Sequence, residues 1–130
     1  MPERSADWFK QAEKDLENSV WEKKGGFYDW ACFVAQQASE KAIKAVYQRL
    51  GGVAWGHSVV KLLEGLQEKI DIEKEIFEAA RLLDRFYIPA RYPNGWDSGA
   101  PYEYFTERDA EEAISAAKKI LGFCKDLLAR

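Results

Sequence analysis

The chain has 130 residues, 47% hydrophobic and 32% charged, a composition that fits one globular domain spanning 1–130 and excludes a disordered segment. A formal net charge of −3 excludes a broadly basic, nucleic-acid-coating surface, while leaving room for a local basic groove. The longest apolar run, Trp30 to Ala35, is too short to cross a membrane, and Met1-Pro2-Glu3-Arg4 lacks the apolar segment of a signal peptide. A cytoplasmic protein with no membrane partner is the expectation.

The first helix is predicted from Ser5, read as its N-cap with Asp7 in the first turn, to about Glu22. Trp8, Phe9, Ala12, Leu16 and Val20 recur at three- and four-residue steps and mark one buried face. Gly25-Gly26 breaks the pattern. A longer, alanine-rich helix follows from about Phe27 to Leu50 and is closed by Gly51-Gly52. Ser58 is a candidate cap for a third helix carrying Val59, Leu62, Leu63, Leu66 and Ile70. A fourth runs from about Glu73 to Phe86.

The stretch from Ile88 to Thr106 holds three prolines and two glycines, which no helix tolerates, and five aromatics. That density predicts a loop folded against the body, with Tyr92 and Trp96 as anchors and base stacking as their second reading. Thr106, with Asp109 three residues on, is read as a capping box for a last helix ending near Leu128. The fold class expected is all-α, an antiparallel up-and-down helix bundle of four to five helices with one long ordered loop before the last.

Cys32 and Cys124 sit inside helical patterns with no ligand-spaced neighbour, so they read as reduced core thiols. One histidine and no HExxH or ExxH spacing give no reason to expect a metal or other cofactor.

The second helix carries the polar chemistry. At about 100° per residue, Phe33, Gln37, Glu40, Lys44 and Gln48 share a narrow sector with Lys41 at its edge, while the rest of the circumference is mostly apolar. Two readings stand: a solvated face with Glu40 and Lys44 as an i,i+4 pair, or a groove in which Lys41 and Lys44 offer cations to a phosphate. On either, Lys44→Ala should leave stability nearly unchanged.

Phe33-Val-Ala-Gln-Gln37-Ala38-Ser-Glu40-Lys41-Ala-Ile-Lys44 resembles the F-x-x-x-Q-A-x-E-K-x-x-K helix of HEPN domains. Gly56-His57-Ser58 with Leu62-Leu63, then Leu83-Asp84, Tyr87 and Arg91-Tyr92-Pro93, and the alanine-spaced last helix are similar to the family's further segments, in the same order. The resemblance covers roughly residues 6–125. It implies a bundle with a long second helix, a homodimer, and a choice of two activities. Many HEPN proteins are metal-independent RNases that use an Arg followed four to six residues later by His. Here Arg85 is followed six residues on by Arg91, and the one histidine is His57. The chain looks more like the small HEPN proteins paired with a minimal nucleotidyltransferase in toxin–antitoxin-like systems.

The reading that follows is a non-enzymatic module binding nucleotide or RNA, a nucleotidyltransferase partner, or both. Its candidate ligand-binding residues are Gln37, Lys41, Lys44, His57, Arg91 and Tyr92, with no catalytic residue. The alternative is an atypical metal-independent RNase in which Arg85, Arg91 and His57 converge. Structural readings stand beside these: the His57 ring bonded to a loop carbonyl, and Arg91 fixing the long loop through a bidentate contact to Asp84 or Glu40.

Overall fold

The computed structural model describes residues 3–130. Five α-helices make up the bundle: α1 (Ser5–Lys24), α2 (Tyr28–Leu50), α3 (Val59–Leu66), α4 (Lys74–Asp84) and α5 (Glu107–Leu128), and there is no strand among the described residues. Two 3-10 turns, Pro93–Gly95 and Pro101–Glu103, lie in the long loop before α5.

The centre of the bundle is α2, packed most extensively on α1 and next on α5. Small residues make this possible. Ala31, Cys32, Ala35, Ala38, Ala42 and Ala45 of α2 face Ala12 and Ser19 of α1 and Ala110, Ala113 and Ala117 of α5, all fully buried. Even the Ser19 hydroxyl is used, donating to the Ala31 carbonyl at 2.7 Å across the α1–α2 seam. Larger side chains, Ile43, Leu63, Leu83 and Ile120, fill the space further out, each stabilising the fold by about 1.5–3 kcal/mol of apolar burial.

Successive helices reverse direction at α1–α2, α3–α4 and α4–α5. Lys23 pairs with Glu111 at 3.7 Å and the Arg49 Nη1 donates to the Leu128 carbonyl at 2.8 Å, so α5 runs antiparallel to α1 and in the sense of α2. The connection from α2 to α3 is the exception to the alternation. Gly51, with φ +73°, closes α2 in the left-handed conformation, and residues 51–58 then double back along it. As a result His57 lies beside the middle of α2, where the Gln36 Nε2 donates to its backbone carbonyl at 2.8 Å. α3 then runs alongside the second half of α2, where the Tyr47 hydroxyl donates to the Leu62 carbonyl at 2.6 Å. Gly65 leaves the room for that phenol: a Cβ there would collide with the Tyr47 hydroxyl.

Local signals are met at three ends and miss at two. Ser58 caps α3, accepting from the Lys61 N–H at 3.2 Å, and the Thr106–Asp109 capping box closes the start of α5. Ser5 is not the cap of α1. It is the first helical residue, buried, and its hydroxyl accepts from the Arg49 Nε at 3.3 Å, because the end of α2 competes for it. α3 stops at Leu66, so Ile70 contributes from the following turn. The long loop folds against the body as expected. Trp96 stacks on Tyr104 (3.9 Å between centroids, 10° between planes), donates to the Pro89 carbonyl at 2.8 Å, and meets the buried Phe105 edge-on.

No helix among the described residues is long and apolar enough to cross a membrane. Both cysteines are free and buried, and burial pushes each thiol well above its usual range. A thiol held protonated in the fold but free to ionise when unfolded stabilises the fold below the ordinary thiol range, and that contribution fades as pH rises through it. The urea midpoint should therefore fall between pH about 7.5 and about 9.5. A thiol-reactive chromophore should find two groups after unfolding and none in the native protein; rapid native labelling would contradict the burial.

Candidate functional site

The polar sector of α2 is neither a solvated face nor one groove. Glu40 sits at its centre with a side chain only 6% exposed, because the returning 51–58 connection covers it. A carboxylate taken out of water needs partners, and three side chains supply them. The Lys44 Nζ donates to Oε2 at 3.1 Å, the His57 Nδ1 lies 3.1 Å from Oε1, and the Gln37 Nε2 reaches the same oxygen at 3.4 Å. Gln37 also donates to the Gln36 Oε1 at 2.8 Å, which closes a chain from Glu40 back to the His57 backbone.

Several expectations are corrected by this arrangement. Lys41 and Lys44 do not act together as cations for a phosphate. Lys44 is held by Glu40, and Lys41, one residue further round the helix, turns to α1 and pairs with Asp15 at 2.6 Å. The His57 ring does not seek a loop carbonyl, since the nearer acceptor is Glu40. Arg91 contacts neither Asp84 nor Glu40. Its Nε donates to the Tyr87 carbonyl at 2.8 Å, and its guanidinium lies over three rings, Phe33 at 4.3 Å, Tyr87 at 4.5 Å and Tyr92 at 4.9 Å.

Asp84 is occupied elsewhere. Its two oxygens accept from the Ser58 hydroxyl at 2.8 Å and from the Val59 and Val60 N–H groups at 2.7 and 3.1 Å, so the end of α4 caps the start of α3. That clamp places His57 beside the segment that follows α4. The His57 ring stacks on Tyr87 (4.9 Å, 16°), the same ring that supports Arg91. His57, Ser58, Arg85, Tyr87 and Ile88 line one shallow apolar pocket.

Of the six candidate residues, Gln37, Lys44 and His57 converge on Glu40, Arg91 and Tyr92 lie next to them across Tyr87 and Phe33, and Lys41 stands apart. Glu40, Gln36 and Tyr87 were not among the candidates. Gln36 could have been found, since a fully buried amide on an otherwise apolar flank of α2 has to bond to something. Nothing in the sequence marks Tyr87 as the shared platform.

A carboxylate accepts, so the Glu40 contact assigns the hydrogen to Nδ1 and leaves Nε2 as the open nitrogen of an imidazole that is 56% exposed. Arg91, on the other side of the shared Tyr87 contact, pairs its terminal N–H groups with no carboxylate, the Nη1 lying 3.5 Å from the Tyr92 hydroxyl. A cation with no carboxylate partner, backed by aromatic faces, suits a phosphate or another anion. No group of three or more His, Cys, Asp or Glu among the described residues could hold a metal ion.

The helical bundle and this seam define a class. The HEPN domain model matches residues 5–127, and the chain belongs to that family. It is similar to a Methanocaldococcus jannaschii protein that carries the name "Putative toxin MJ1304", 30% identical over 130 residues that cover 93% of this chain and 86% of that one. Among solved structures it resembles TT1696 from Thermus thermophilus, with a TM-score of 0.94 and 42% identity over 97% of this chain and 99% of that one. ST0689, described as an archaeal HEPN homologue, gives a TM-score of 0.82 at 45% identity, covering 97% and 98%. The HEPN domain protein tm0613 from Thermotoga maritima gives 0.80 at 40%, covering 95% and 98%.

The pairing of Lys44 with Glu40 reverses the expectation for its removal. The Lys44 side chain is 15% exposed and its loss strands a nearly buried carboxylate. Lys44→Ala should lower unfolding free energy by about 2 kcal/mol or more, read from denaturant titration. A cost under about 0.5 kcal/mol would mean that the pair is effectively solvated.

Proposed function

We propose that this chain is the toxin-like member of a toxin–antitoxin-like pair and that it works by binding. It is a cytoplasmic, non-enzymatic module that takes the phosphate of a nucleotide or RNA at Arg91 and His57, forms a homodimer, and has a minimal nucleotidyltransferase as its partner. The observation that carries the ligand class is the guanidinium of Arg91, spread over Phe33, Tyr87 and Tyr92 with no carboxylate to neutralise it. The half-exposed Tyr92 adds a ring face for a base, as single-strand binders use. The name carried by the M. jannaschii relative supports the toxin-like role. The exposed aromatics Trp21, Phe27 and Trp30 at the α1–α2 turn support a protein contact.

A second reading, a metal-independent RNase, has one specific observation in its favour. A buried carboxylate orients His57, and His57 packs on the same Tyr87 ring as Arg91, so a group able to transfer a proton and a cation share one aromatic support. Against it, cleavage needs one group to deprotonate the 2′-hydroxyl and another to protonate the leaving oxygen, and arginine does neither.

The test uses purified protein with AMP, ATP and a short labelled RNA. Binding should be measurable, and Arg91→Ala should weaken it by about tenfold or more. RNA should remain intact with either EDTA or magnesium, and light scattering should give twice the monomer mass. Cleavage by the wild type that is lost in His57→Ala would replace the binding reading with the RNase. Absence of binding to all three probes would remove the ligand class.

A further inference from the structure

Lys41 is the candidate cation that the Glu40 network leaves out, and the side to which it turns holds a cavity of its own. Across the α1–α2 seam, Arg4, Asp7, Trp8, Lys10, Gln11 and Lys41 line one open pocket of about 560 Å³, a size that suits a small ligand. It shares no residue with the pocket beside His57. Trp8 is half-buried, but unlike Phe9 and Leu16 it does not pack against the core. No other aromatic ring pairs with it among the described residues. A tryptophan so placed in a cavity offers its face to a flat ring.

Asp15, just outside the pocket, organises the rest. Its Oδ2 accepts from the Lys41 Nζ at 2.6 Å and its Oδ1 from the Gln11 Nε2 at 2.8 Å. A carboxylate only accepts, so the Gln11 amide is fixed with its NH₂ toward Asp15, and its Oε1 is left as an acceptor. The lining carries three cations against one acid, in a chain whose formal net charge is −3. That acid, Asp7, is held by the Arg4 Nε at 3.0 Å, a contact that leaves the terminal guanidinium groups free of it. Lys10 takes part in no ion pair among the described residues.

We propose that this pocket is a second ligand site, separate from Arg91 and independent of its reading, for a mononucleotide whose base carries an exocyclic amino group. The base stacks on Trp8 and its amino group donates to the Gln11 Oε1. Arg4 stands one helical turn before Trp8 and Gln11 one turn after it, so a base with its amino edge at Gln11 directs its phosphate toward Arg4 and Lys10. An amino group is selected because the Gln11 oxygen meets a donor there, whereas a carbonyl at the same ring position sets acceptor against acceptor.

CMP and UMP differ at that ring position, amino in one and carbonyl in the other, and are the probes. The readout is the indole N–H spectrum of the nitrogen-15-labelled protein, in which the Trp8 signal is the one missing from Trp8→Phe. CMP should shift that signal saturably, with UMP weaker by about fivefold, as one hydrogen bond implies. Cytidine, without the phosphate, should also be weaker by about fivefold, and ribose 5-phosphate, without the base, should leave the signal in place. Gln11 is exposed, so Gln11→Ala leaves the core intact; it should still bind CMP but lose the preference over UMP. Arg91→Ala should bind CMP at Trp8 as the wild type does.

A Trp8 signal unmoved by CMP up to about 10 mM would overturn the site, whatever happens at Arg91. A shift that disappears in Arg91→Ala would overturn it as well, by assigning the binding to that residue. Equal affinity for CMP and UMP, or a preference that survives in Gln11→Ala, would overturn the selection by Gln11. An equal response to ribose 5-phosphate would reduce the pocket to a patch of positive charge.

Discussion

A carboxylate on a helix that other helices cover must be given partners, because stranding it away from water costs several kcal/mol. α2 is that helix, and Glu40 is the acid at its buried polar seam. Lys44 one turn on and Gln37 one turn back come from α2 itself, but the third partner, His57, arrives only because the chain doubles back after Gly51. Once His57 is there, its ring needs a face to pack on, and Tyr87 provides it. Tyr87 in turn supports Arg91. The candidate site is thus an outward extension of the solution to a burial problem.

The alanines of α2 set the conditions for this. With Ala31, Ala35, Ala38, Ala42 and Ala45 fully buried, α1 and α5 can approach closely, so little of the α2 circumference is left for polar groups. Lys41 and Lys44 show how narrow the remainder is. Three residues apart, they are claimed by Asp15 on α1 and by Glu40 respectively. In the irregular segment after α4, by contrast, Arg91 is held by ring faces and the Tyr87 carbonyl instead of a carboxylate.

Much of the fold was legible because its signals are local. Periodicity marked the buried face of α3, although of the five α1 residues it picked out only Ala12 is fully buried and Ser5 and Ser19 share that face instead; a glycine closed α2, and the Ser58 and Thr106–Asp109 caps are set by residues three apart. Ser5 misled because a serine at a helix start is also a good partner for a side chain from elsewhere, here Arg49. The site was legible as residue types but not as an arrangement. Helical spacing put Gln37, Glu40 and Lys44 on one sector, yet it could not say that the sector was covered, or that Lys41 faced a different neighbour. Asp84 looked like a partner for Arg91 since both charges lie in one short segment; the unsatisfied N–H groups at the start of α3 have the prior claim.

The return of residues 51–58 along α2 also divides the molecule into parts of unequal permanence. The α1–α2–α5 packing is extensive and alanine-lined, whereas α3 and α4 are short and make fewer contacts with α2. His57 and Arg91 flank that smaller pair on either side, one before α3 and the other after α4. A partial opening in which α3 and α4 lift from α2 while the three long helices stay folded would separate Glu40 from His57 and scatter the site. Amide hydrogen exchange would register it as faster exchange in 59–84 than in α2, and equal protection throughout would show instead that site and scaffold open as one.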